Sequence, residues 1–131
     1  MKLVTIIARV LLGLLFLVTS INGLMMVFTG KGFLPMPPPA GDNAKNFMMA
    51  LVSSGFMTVV FALQLIGGIL LLSGRWLNLG VFVLGPIVAN IFLFHLFMDP
   101  AGLPVVIVVL GLTLFLAWSR REAWMGVFSQ R

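Results

Sequence analysis

The sequence predicts an all-α integral membrane protein, a four-helix bundle with both termini cytoplasmic. Three observations carry that reading. Of 131 residues, 61% are apolar and only 8% charged, a composition far from that of a soluble globular domain. The apolar residues fall into four runs, about 3–28, 47–73, 76–97 and 103–118, and a stretch of about 17 to 25 residues spans hydrocarbon. Four crossings define two ends, and the basic residues divide unevenly between them. Lys2, Arg9, Arg75, Arg120, Arg121 and Arg131 fall on the terminal side, Lys31 and Lys45 on the other, so the positive-inside bias puts the termini in the cytoplasm.

Residues 1–131 read as one domain, and what it lacks narrows its chemistry. The net charge of +5 comes from residues scattered beside the ends of apolar runs, which suits orientation in a bilayer and no nucleic-acid partner. There is no cysteine, so disulfides, thiolate metal sites and a dithiol relay are excluded within the chain. The single histidine excludes bis-histidine haem ligation in one chain, and no metal constellation accompanies it.

The first run, Leu3 to Phe28, reads as a retained helix. It is long, it carries Arg9 early, and no small-x-small cleavage site follows it. At 100° per residue Arg9, Gly13 and Ser20 lie within about 40° of one another, a stripe suited to close helix packing. Arg9 is close enough to the start to snorkel to the headgroups. Asn22 lies on another face near the far end, placed to cap, to meet water or to contact a neighbouring helix.

Residues 29–46, TGKGFLPMPPPAGDNAKN, form the one long polar connection, expected on the extracytoplasmic side. Pro35, Pro37, Pro38 and Pro39 favour an extended path through it, as a linker or a lid. Phe33, Leu34 and Met36 suit the membrane surface. The second run, Phe47 to Ser73, is expected as a single helix, with Ser53, Gln64, Gly67 and Gly68 on one broad face. Gln64 there reads first as glue between helices and second as a ligand-binding group. Ser73-Gly74-Arg75 ends the run, with Gly74 suited to a left-handed cap.

The third run, Trp76 to Phe97, is expected to kink at Pro86. Asn90 follows one turn later, placed to satisfy groups that the kink disturbs. His95 and Asp99 are four apart, so the carboxylate is placed to orient the imidazole, unless Asp99 serves the Asp-Pro-Ala-Gly-Leu-Pro turn instead. The fourth run, Leu103 to Trp118, is interrupted only by Gly111 and Thr113, and Ser119-Arg120-Arg121-Glu122 stops it. The tail 119–131 is expected in the cytoplasm, with Trp124, Val127 and Phe128 on a face lying among headgroups. Trp76, Trp118 and Trp124 read as interface anchors on that side.

Polar groups inside an apolar bundle are costly, so they turn inward and often mark a site. Asn22, His95 and Asp99 gather toward the outer end, and Gln64 and Asn90 lie deeper, which predicts a polar path into the bundle.

The order and spacing of Phe33-Leu34-Pro35-Met36-Pro37-Pro38-Pro39, Ala50-Leu51, Ser54-Gly55, Leu65-Ile66-Gly67-Gly68-Ile69-Leu70-Leu71-Leu72, Gly74-Arg75, Pro86-Ile87 and Phe94-His95-Leu96-Phe97 resemble the DoxX-like family of small bacterial membrane proteins. The resemblance covers nearly the whole chain. It implies a four-helix bundle in the bacterial inner membrane, related to subunits of thiosulfate:quinone oxidoreductase or to membrane partners of enzymes that handle oxidative and thiol stress. Relatives often carry an acid where this chain has Gln64, and an amide does not titrate.

On that footing the expected function is a quinone-linked accessory subunit of a membrane oxidoreductase, not catalytic alone. A quinone head group needs an apolar slot with a few donors, and an imidazole relays protons near neutrality. Gln64, Asn90 and His95 are the candidate quinone-binding residues, supported by Asn22 and Asp99. The alternative is a non-catalytic anchor or scaffold for an oxidoreductase or stress-response partner. A small-molecule carrier ranks lower, because four helices enclose little aqueous volume unless the chain forms a homo-oligomer.

Overall fold

The computed structural model describes residues 2–34, 39 and 41–126. Pro35, Met36, Pro37 and Pro38 of the proline-rich loop and Val127, Phe128 and Arg131 of the tail lie outside the described residues.

Six α-helices follow one another, and no strand occurs among the described residues. They are α1 (Lys2–Thr29), α2 (Asp42–Ser53), α3 (Phe56–Ser73), α4 (Leu77–Phe97), α5 (Leu103–Ser119) and the short α6 (Arg121–Met125), with a single 3-10 turn, Pro100–Gly102, before α5. Four segments, Leu3–Thr29, Phe56–Ser73, Leu77–Phe97 and Pro100–Ser119, are long and apolar enough to cross a membrane. The expected all-α four-helix membrane bundle is therefore the observed architecture.

The second apolar run departs from expectation: it is two helices. Gly55 takes φ +84°, a left-handed conformation that breaks the run between Ser53 and Phe56. Ser53 thus belongs to α2 and does not share a helix face with Gln64. The connection is shorter than expected as well, because Asp42 to Asn46 are helical. With α2 at the end of the bundle opposite the termini, only 18 residues remain for the crossing by α3.

The crossings run antiparallel, as cross-helix neighbours show. Gly23 of α1 faces Phe61 of α3, whereas Gly13 faces Gly68 and Leu72. Likewise Gly67 of α3 faces Leu84 of α4, and Gly80 faces Leu71. Helix α4 passes through Pro86 without interruption, with the ring on the exposed side.

The most extensive contact is between α1 and α3. A methyl group placed on Gly68 would lie 3.0 Å from both the Gly13 carbonyl oxygen and the Leu17 amide nitrogen, so the two backbones nearly touch. Ser20, fully buried, folds its hydroxyl back to the Leu17 carbonyl at 3.0 Å. The Gly13 and Ser20 stripe expected from spacing is thus a packing surface. The core adds Ala8, Leu12 and Phe16 from α1, Leu71 from α3, Leu77, Val81, Leu84 and Val88 from α4, and Val109 and Leu116 from α5. The outside is equally apolar, with Leu3, Phe82, Phe97 and Val105 among the large exposed side chains, as a bilayer requires.

Candidate functional site

The end of the bundle away from the termini is held by side chains that grip backbone. Asn22 is 2% exposed, and its Oδ1 accepts the Leu34 amide at 2.9 Å, tying the start of the proline-rich connection to α1. Gly32 lies so close to this amide group that any side chain there would strike the Asn22 oxygen. The observed role of Asn22 is none of the three expected ones but a clasp on the loop.

His95 does similar work across the α4 to α5 turn. Its Nδ1 lies 3.0 Å from the Asp99 carbonyl oxygen. A carbonyl only accepts, so Nδ1 carries the proton, and in the neutral ring Nε2 is then the acceptor. The Asp99 carboxylate stands farther off, 3.8 Å from Nδ1, beyond hydrogen-bond range. The pair therefore meets as expected, but the backbone of Asp99 orients the ring and its side chain does not. The turn itself is built from backbone, Asp99 N–H to the Phe94 carbonyl and Gly102 N–H to the Asp99 carbonyl, with no side-chain cap from Asp99. A Cβ at Gly102 would collide with the imidazole, so glycine there leaves the ring its place. Phe94 meets His95 edge-on at 5.0 Å and stacks on Phe47 of α2 at 5.6 Å, which brings α2 over the His95 end of α4.

Gln64 sits halfway along α3 and is only 5% exposed. Its amide makes no hydrogen bond to a described residue, so the expected interhelical glue is not formed. No fully enclosed side-chain nitrogen or oxygen among the described residues lacks a partner. The Gln64 amide therefore keeps a small accessible surface. The register of α3 against α1 and α4 puts it at the level of Ser20 on one side and Ile87 or Val88 on the other.

Asn90 lies elsewhere. It is exposed on the outer face of α4, next to Ala89 and one turn from Pro86, both exposed. Its amide makes no hydrogen bond to a described residue, and it does not relieve the backbone beside Pro86. The expected inward polar path through Gln64 and Asn90 is not formed, because the two amides face opposite sides of the bundle wall. The structure brings His95 and Asp99 together, keeps Asn22 at the same end, and leaves Gln64 and Asn90 apart from them and from each other.

Sequence reasoning missed the role of Arg9. Its Nη1 donates to the Leu71 carbonyl at 2.7 Å and the Leu72 carbonyl at 3.0 Å, capping the end of α3 instead of reaching for the headgroups. The signal was Gly74, which takes φ +73°, returns its own N–H only to the Leu71 carbonyl at 3.4 Å and brings the end of α3 beside the guanidinium. Trp124 also turns inward, donating from Nε1 to the Ala117 carbonyl at 3.1 Å and packing on the core, so it is not a freely exposed anchor. Among the described residues no three His, Cys, Asp or Glu side chains form a metal-binding group. No protein family, curated protein or solved structure matches the chain.

Proposed function

We propose that this protein is an accessory membrane subunit that joins another membrane-embedded chain through the outward face of α4, serving as an anchor or scaffold. The single observation that carries this reading is Asn90. An amide facing acyl chains has lost water and gained nothing, a cost of the order of 1 to 3 kcal/mol or more that a hydrogen bond from a neighbouring helix removes. Pro86, Leu93 and Phe97 lie on the same exposed side of α4 as Asn90 and extend this face. Asn22, His95 and Arg9 are each engaged with backbone of another segment, which is the work of a scaffold.

The resemblance to the DoxX-like family gives this partner a character: an oxidoreductase or stress-response complex of the bacterial inner membrane, with both termini of this chain in the cytoplasm. A photocrosslinking residue at Leu93, on the α4 face, is expected to yield a discrete protein adduct in native membranes. The Asn90→Leu variant should lose it, and a crosslinker at Leu114 on α5 should give only lipid adducts. An adduct of twice the chain mass identifies a homo-oligomer, and any other mass a different subunit. Equal adducts from both positions, unaffected at Asn90→Leu, would remove α4 as the joining face.

A second reading, a quinone-linked accessory subunit, is favoured by Gln64 alone. A buried amide with no partner among the described residues is able to donate to a quinone carbonyl. Gln64→Leu is then expected to lower quinone retained on purification about tenfold, with the bundle intact. Retention equal to wild type would end this reading and leave the anchor untouched.

A further inference from the structure

Where the connection from α3 to α4 passes the end of α5, a cleft of about 420 Å³ is lined by Arg75, Trp76, Leu77, Asn78, Leu79 and Arg120. It lies at the end of the bundle that holds the termini. Its lining combines two guanidinium groups and an amide with a tryptophan and two leucines. Arg75 and Trp76 precede α4, and Leu77, Asn78 and Leu79 all lie in its first turn. Arg120 enters from the C-cap of α5.

The charges around the cleft are unbalanced. Neither Arg75 nor Arg120 has a carboxylate within ion-pair distance among the described residues, where His95 and Asp99 form the sole pair. Asp42 and Asp99 are at the far end of the bundle, so Glu122 is the one acidic residue on this side. Arg9 and Arg121 are already engaged, the former with α3 carbonyls and the latter with the Trp118 carbonyl at 3.2 Å and the Trp118 ring at 4.3 Å. Arg75 and Arg120 are exposed, and they flank the same recess.

We infer that this cleft binds the phosphate of an anionic phospholipid, its head group between Arg75 and Arg120 and its acyl chain along Leu79. Guanidinium matches a phosphodiester by paired N–H donors. Asn78 supplies a further amide donor for a glycerol or phosphate oxygen. Trp76, 57% exposed, has the amphipathic ring that favours the headgroup layer. The shared chemistry is phosphate, which a soluble anion also offers. The exposed Leu79 beside these donors is the feature that only a lipid uses.

The test is native mass spectrometry of the full chain in nanodiscs of phosphatidylcholine, with or without phosphatidylglycerol. Each arginine near an anionic surface contributes about a fivefold preference, so the pair gives roughly twentyfold to thirtyfold. Wild type is expected to retain one phosphatidylglycerol with that preference. The double variant Arg75→Gln/Arg120→Gln should fall to the phosphatidylcholine level, while its helical signal in pure phosphatidylcholine stays that of wild type. Arg121→Gln, whose guanidinium belongs to Trp118, should retain the lipid. Inorganic phosphate at tens of millimolar should not displace it. Equal retention by the double variant, loss in Arg121→Gln alone, or displacement by inorganic phosphate would each overturn the lipid assignment.

Discussion

Gly68→Leu is expected to destabilise the bundle by about 2 to 3 kcal/mol, the upper part of the usual range for overpacking a close contact. The reason is specific to lipid. Acyl chains are as apolar as leucine, so burial of apolar surface does not drive helices together, and dispersion between closely packed backbones must do so. At Gly68 that approach is tightest against backbone. A new Cβ would sit 3.0 Å from the Gly13 oxygen and the Leu17 nitrogen, atoms that no rotamer change moves aside. A leucine there must separate α1 from α3 along their whole contact. The measurement is unfolding in mixed micelles, read by far-UV circular dichroism. Gly85→Leu is the control, since its Cβ meets nothing within 4 Å. It should be neutral or gain up to about 1 kcal/mol from helix propensity. Equal stability of Gly68→Leu and wild type would show that the α1 to α3 approach does not hold the bundle.

Arg9→Met is expected to cost about 2 kcal/mol, and Arg9→Lys about half of that. Hydrogen bonds to a charged group contribute roughly 1.5 to 3 kcal/mol each when sheltered, less where water reaches them, and Arg9 is half-buried. Two such bonds end on the Leu71 and Leu72 carbonyls, at the negative end of the α3 dipole. Methionine retains the packing of the side-chain stem and removes both donors. Lysine restores the charge but offers a compact ammonium in place of the planar fork. Hydrogen exchange read by mass spectrometry should report the same order, with faster exchange at the end of α3 in Arg9→Met than in Arg9→Lys. If Arg9→Met unfolds at the same denaturant concentration as wild type, the cap is incidental and Arg9 serves the interface instead.

These two substitutions address features that differ in how far the sequence reveals them. The close approach at Gly13 and Gly68 was legible, because small residues at helical spacing in an apolar run have few other uses. The break at Gly55 was partly legible, since Ser54-Gly55 interrupts a run longer than one crossing requires. The Arg9 cap was hidden by sequence distance: 62 and 63 residues separate it from the carbonyls it meets. The His95 contact was half visible. Spacing paired His95 with Asp99, but only the path of the turn brings the carbonyl nearer than the carboxylate.

By itself the sequence determined that this chain lives in a bilayer, crosses it four times and keeps its termini on one side. Those properties depend on length and hydropathy along a line, since every backbone group in lipid must be satisfied within a helix. Only the tertiary structure decided which polar side chains look inward. Gln64 went to the interior and Asn90 to the exterior, although both sit in helices apolar on every face. In water the hydrophobic stripe of a helix announces its buried side. Here the core and the surrounding lipid are equally apolar, so that asymmetry vanishes from the sequence, and the rotation of each helix is set by backbone approach at glycines and by caps such as Arg9.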